Sequence, residues 1–92
     1  SAEFPADYSL SQNYPNPFNP VTKIKFDVPA ISFVKLTVYD VSGRELEILV
    51  NGNLDAGKYK AAWDASEFSS GVYFYSLTAN GYTQTRRMLL IK

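Results

Sequence analysis

From Thr22 onward the chain consists of short runs in which apolar and polar residues alternate, most of them separated by turns that contain glycine. This period of two constrains the fold more than any other feature. It places successive side chains on opposite faces, as in a half-buried strand, whereas a helix would repeat its apolar positions every three or four residues. Thr22, Ile24, Phe26 and Val28 share one face, with Lys23, Lys25 and Asp27 on the other. Val34, Leu36 and Val38 alternate with Lys35, Thr37 and Tyr39, and Tyr59, Ala61 and Trp63 with Lys58 and Lys60. Ile24, Phe26, Leu36, Val38 and Trp63 are therefore the expected core, with Trp63 its largest member.

The turns punctuate these runs. Asp40-Val41-Ser42-Gly43 closes the second, with Asp40 as a turn residue and Gly43 free to take positive φ. Asn51-Gly52 marks a corner. The polar stretch from Asp64 to Gly71 crosses to the next strand with room for one 3₁₀ turn. Asn80-Gly81 suits a type I′ turn and pairs residues 72–79 with residues 82–92 as a hairpin that ends on Lys92. In residues 44–50 the alternation of Glu45 and Glu47 with Leu46 and Ile48 fails at Leu49 and Val50, as at a bulge or a strand end. Residues 72–77 and Met88-Leu89-Leu90-Ile91 are apolar on both faces, which leaves their register open by one residue. The second of these reads as a central strand covered on both sides, or as an edge that docks elsewhere. With no segment suited to a three-turn helix, the fold class is all-β: an immunoglobulin-like antiparallel sandwich of about seven short strands.

The start of the chain is different. Pro5, Pro15, Pro17 and Pro20 exclude a helix or an internal strand, while Leu10, Tyr14 and Phe18 are spaced to press an irregular segment against a sheet face or edge. Residues 1–9 read as a linker or cloning remnant and residues 10–92 as one domain, the size that a single modest core supports.

Composition narrows function. Nine basic residues balance nine acidic ones, so no net field attracts nucleic acid. Histidine and cysteine are absent, which excludes thiol catalysis, disulfides and zinc fingers. Asp40 and Asp64 are better read as turn residues than as a catalytic pair, and the chain is expected to be no enzyme and to need no cofactor. Asp64, Ser66 and Glu67 form a weak oxygen-ligand set for a loop ion, with a solvated turn as the simpler reading. Tyr39, Phe74 and Tyr82 suit glycan contact only if they face outward. Arg86-Arg87 suits a tyrosine face or an acidic partner. No apolar run is long enough to span a membrane, and no signal peptide is visible. A final hairpin ending on Lys92 would offer a partner a strand edge and a carboxylate.

Four separated motifs carry a resemblance: Leu10-Ser11-Gln12-Asn13-Tyr14-Pro15-Asn16-Pro17-Phe18-Asn19-Pro20, Val38-Tyr39-Asp40-Val41-Ser42-Gly43-Arg44, Ser70-Gly71-Val72-Tyr73-Phe74-Tyr75, and Arg87-Met88-Leu89-Leu90-Ile91-Lys92. Over residues 8–92 the chain resembles the type A C-terminal sorting domain of the type IX secretion system, and several of the same phrases occur in the immunoglobulin-like domain of flagellar hook-capping proteins. The resemblance implies a non-catalytic module on a larger exported protein, read by the outer-membrane translocon of Bacteroidota and related phyla. It implies removal by a membrane-bound protease in front of the sandwich, and release of the cargo or its attachment at the cell surface. It assigns translocon reading to the final hairpin with Arg86, Arg87, Met88, Leu89, Leu90, Ile91 and Lys92, and places any cleavage before residues 10–20, whose motif Asn13-Tyr14-Pro15-Asn16-Pro17-Phe18-Asn19-Pro20 is either a stiff strap at that junction or purely structural. The expected partners are the translocon, its protease and the attached cargo, with the domain itself monomeric. An accessory carbohydrate-binding module and a structural spacer are the rival readings.

Overall fold

A computed structural model of the chain describes residues 4–92; the first three residues of the expected linker lie outside the described residues. Seven strands follow in order: β1 (Ser9–Leu10), β2 (Val21–Val28), β3 (Ser32–Tyr39), β4 (Glu45–Leu54), β5 (Gly57–Asp64), β6 (Gly71–Ala79) and β7 (Tyr82–Leu90). They form two antiparallel sheets, β1-β2-β5 and β4-β3-β6-β7. The expected antiparallel sandwich of about seven strands is the fold of the chain.

The alternation decides which faces meet. Ile24, Phe26 and Val28 of β2, Val34, Leu36 and Val38 of β3, and Tyr73, Tyr75 and Leu77 of β6 all point into the interior. Trp63 of β5 is 1% exposed and is surrounded by Phe18, Phe68 and Tyr73, with ring centroids 5.8, 5.5 and 5.5 Å away. These tilted and edge-on contacts suit the ring quadrupoles. The indole N–H donates to Glu47 Oε1 at 3.1 Å, which gives the buried ring's single donor a partner. Among the described residues, no buried side-chain nitrogen or oxygen lacks one.

One of the expected turns lies elsewhere. Asn51 and Gly52 lie within β4, opposite Lys35 and Val34, and the corner comes at Asp55 and Ala56. Continued pairing with β3 holds Gly52 extended, so its torsional freedom goes unused. The lost alternation at Leu49 is a bulge, since Leu36 pairs with Val50 and Thr37 with Ile48; a second irregularity skips Leu46. The connection after β5 is a hydrogen-bonded turn, Phe68 N–H to Ala65 O at 3.0 Å, without a 3₁₀ helix. Asn80 (φ 47°) and Gly81 (φ 84°) both take the left-handed conformation that the two-residue hairpin between β6 and β7 requires.

Candidate partner-binding edge

The hairpin register fixes what β7 exposes. With Ala79 opposite Tyr82, the residues Tyr82, Gln84, Arg86, Met88 and Leu90 exchange backbone bonds with β6. Thr83, Thr85, Arg87 and Leu89 turn their N–H and C=O groups the other way, toward the free side of the outermost strand. Such an edge is a template for another strand.

Residues 11–20 cover part of it. They form a strap that runs from the β1-β2-β5 sheet to β7. At one end Ser11 N–H donates to Lys25 O at 2.9 Å, and Tyr14 and Lys23 exchange backbone bonds of 2.9 and 3.0 Å. At the other, Gln12 Nε2 donates to Arg87 O at 2.7 Å, Leu89 N–H to Asn16 Oδ1 at 3.0 Å, Phe18 N–H to Leu89 O at 3.0 Å, and Ile91 N–H to Phe18 O at 3.0 Å. The three bonds Tyr14-Pro15, Asn16-Pro17 and Asn19-Pro20 are cis. The strap thus satisfies the outer edge from Arg87 O to Ile91 N–H and stops there. Among the described residues no backbone group meets Thr83 or Thr85 from outside.

A buried knot holds the strap down. Tyr75 on β6 donates its hydroxyl proton to Ser11 O at 2.7 Å and accepts the Asn13 N–H at 2.7 Å. Asn13, itself buried, donates through Nδ2 to Pro15 O and to Thr22 Oγ1, and Thr22 returns a bond to Pro15 O. Burial pushes the Tyr75 phenol above its ordinary pKa, against the opposing effects of the Asn13 N–H and of Arg86, so the hydroxyl keeps the proton it donates. Replacing Tyr75 with Phe strands a buried N–H and a carbonyl; urea denaturation should show a loss of about 2 kcal/mol.

The sequence-derived residues divide accordingly. Arg86 is half-buried and donates Nε–H to Leu10 O at 2.6 Å, whereas Arg87 is exposed. Met88 and Leu90 are core residues at 1% and 0% exposure; Leu89 and Ile91 face solvent at 38% and 49%. The strand is therefore an edge, not a central strand, with one apolar face buried and the other outward. It ends at Leu90, not at Lys92. The Phe18 bridge and the bond from Lys92 N–H to Ser70 Oγ at 2.9 Å carry the chain past Leu90 outside the β6 ladder. Beside it, Asn16, Pro17, Val72, Arg87, Met88 and Leu89 line a cleft of about 300 Å³. Phe18 anchors the strap in the core, Tyr14 is 80% exposed, and Asn19 and Pro20 lead into β2, with Pro20 O accepting the Ala65 N–H at 2.8 Å.

The turn carboxylates lie elsewhere. Asp40 accepts from Ser42 Oγ and from the Ser42 and Arg44 N–H groups at 2.7, 2.9 and 3.0 Å, and pairs with the Arg44 guanidinium at 3.2 Å. The Ser42 hydroxyl is the main cause of its lowered pKa. Asp64 accepts the Ser66 hydroxyl and N–H, which lower its pKa in the same way, and Glu67 is exposed. Among the described residues no three side chains of metal-binding type gather. Tyr39, Phe74 and Tyr82 are each half-buried, and Tyr82 stacks on Tyr8 at 5.4 Å.

Sequence reasoning missed Tyr75 and Gln12 as ties of the strap. A hydroxyl on an inward-facing position of a strand was the available signal for Tyr75. Gln12 gave none.

A family model described as a secretion system C-terminal sorting domain matches residues 12–92. No curated protein matches the chain.

Proposed function

The chain belongs to the secretion system C-terminal sorting domain family, and from that premise we propose that it is the non-catalytic export signal of a larger cargo protein, read by the type IX outer-membrane translocon at the β6–β7 hairpin. The observation that carries the site assignment is the outward edge of β7, open at Thr83 and Thr85 and closed by the strap from Arg87 O onward. A translocon segment that adds as a strand there reads main-chain geometry, while the exposed Arg87, Leu89 and Ile91 supply side-chain contacts. The apolar Met88 and Leu90 act indirectly, by holding the strand in register.

In this reading the cargo joins ahead of the strap, and a processing protease cuts there, leaving the cargo released or attached at the cell surface. The strap separates the cargo junction from the sandwich and limits the readable edge to its turn-proximal half. The route runs through the periplasm and the outer membrane, and the domain contributes no chemistry of its own. Among the described residues no helix is long and apolar enough to cross a membrane.

The test is a fluorescent reporter joined ahead of residues 1–92, expressed in a bacterium with the type IX machinery and in its translocon mutant. Reporter outside the outer membrane in the first host alone is the expected result. Retention of the intact, folded fusion in the periplasm of a host that exports its own sorting-domain cargo overturns the reading.

A further inference from the structure

The outer face of the β1-β2-β5 sheet concentrates positive charge in a chain whose charges balance. Four of the nine basic residues, Lys23, Lys25, Lys58 and Lys60, lie on it. The β2–β5 register sets Lys25 directly opposite Lys60. Side chains so placed have Cβ atoms roughly 5 Å apart, and like charges on directly opposite residues are destabilising. Asp27, the acid across from Lys58, accepts the Ser9 hydroxyl at 2.9 Å. Among the described residues the only ion pair is Arg44 with Asp40, so Lys23, Lys25 and Lys60 have no carboxylate partner. Lysines on an outermost strand deter edge-to-edge pairing, but that does not account for Lys23 and Lys25. Strand β2 is interior, with β1 and the Tyr14 bridge on one side and β5 on the other. The face carries a repulsion that the fold does not need, and such local conflicts gather at functional sites.

Tyr14 is the second observation. Its backbone is fixed by the reciprocal bonds to Lys23, yet its ring is 80% exposed and contributes little to the core. Tyr14, Gln12, Lys23, Lys25 and Lys60 line one concavity of about 370 Å³. Gln12 has committed its amide N–H groups to Asn13 Oδ1 and Arg87 O, which leaves its side-chain carbonyl as an acceptor. The hollow therefore offers a flat aromatic wall, ammonium donors and one neutral acceptor. An acidic peptide would use the charges and leave the ring idle. A sugar ring uses all three: its apolar face packs on the tyrosine, its hydroxyls meet the glutamine, and an acidic substituent reaches the lysines.

We propose that this concavity binds an acidic saccharide, one residue of which stacks on Tyr14 and directs its carboxylate or phosphate between Lys25 and Lys60. The anion relieves the repulsion between the two ammonium groups, so the site binds by removing a conflict that the free domain carries.

Calorimetric titration of the whole chain with tetragalacturonate, and separately with glucose 6-phosphate, tests the proposal and distinguishes the two kinds of anion. Maltotetraose and tetraglutamate serve as comparators. Saturable binding is expected in at least one acidic-sugar arm and in neither comparator. The Lys25→Gln/Lys60→Gln double variant should weaken it by ~10-fold, and Tyr14→Ala by ~5-fold, with Tyr14→Phe retaining it. These side chains are exposed, so unchanged thermal transitions separate loss of binding from loss of fold. No saturable binding in either acidic-sugar arm overturns the proposal. So does binding that tetraglutamate matches, or that Tyr14→Ala leaves unchanged.

Discussion

Replacing Trp63 with Ala is expected to cost about 4 kcal/mol, and denaturation midpoints in urea would measure it. The indole is 1% exposed and touches rings from the strap (Phe18), the β5–β6 connection (Phe68) and β6 (Tyr73). Truncation removes the contacts that tie both sheets and the strap to one centre, and it strips Glu47 of the indole N–H. A domain of this size has only about 5–10 kcal/mol of stability to lose, so a large part of the margin disappears. Trp63→Phe should cost less, because a ring still fills most of the space and Glu47 is exposed enough to turn to water. A cost below about 1 kcal/mol for the alanine variant would mean that the three rings close over the gap.

Removing residues 88–92 is expected to abolish export of a fused reporter while leaving a cargo enzyme's activity intact. The deletion alone has two explanations, because it also removes the buried Met88 and Leu90 and the strap's partners Leu89 and Ile91. Thr85→Pro separates them. The Thr85 N–H points to the outer side of an edge strand, so proline there removes no bond to β6 and is tolerated as edge prolines are. That variant should stay folded, with a thermal transition within a few degrees of the parent, and should nevertheless export poorly, because a strand added from outside loses the donor and meets the pyrrolidine ring. Export of folded Thr85→Pro at the parent rate would remove the β7 edge from the recognition mechanism.

The strands were legible wherever alternation was clean. The Thr22-to-Val28 run, the Val34-to-Val38 run and the Asn80-Gly81 turn needed nothing beyond local pattern, because a period of two and a left-handed dipeptide are local properties. Asn51-Gly52 misled because a dipeptide able to turn need not do so; eight of the ten residues of β4 pair with β3, and the ladder outweighs the local preference. For Met88-Leu89-Leu90-Ile91 the choice of face depended on the hairpin register, which places Met88 opposite Tyr73 and turns both inward. The strap's path was the least legible part. Proline density showed that residues 5–20 could hold no helix or internal strand, and β1 within them is a two-residue edge strand, but the bonds of Asn13, Asn16 and Gln12 to residues more than sixty or seventy positions away leave no trace in local sequence.

The strap and β7 run in the same direction at the Phe18–Leu90 bridge. A pull between the chain ahead of the strap and the chain beyond Leu90 therefore draws two parallel segments past each other lengthwise. The bonds from Phe18 to Leu89 and Ile91, with the Asn16 and Gln12 ties beside them, share that load together instead of opening one at a time. Resistance to such a force is set by the unfolding rate and not by equilibrium stability. Loaded along this axis, the sandwich is a shear clasp between the chain ahead of the strap and β7, able to carry tension in a way that a hairpin peeled from its turn could not.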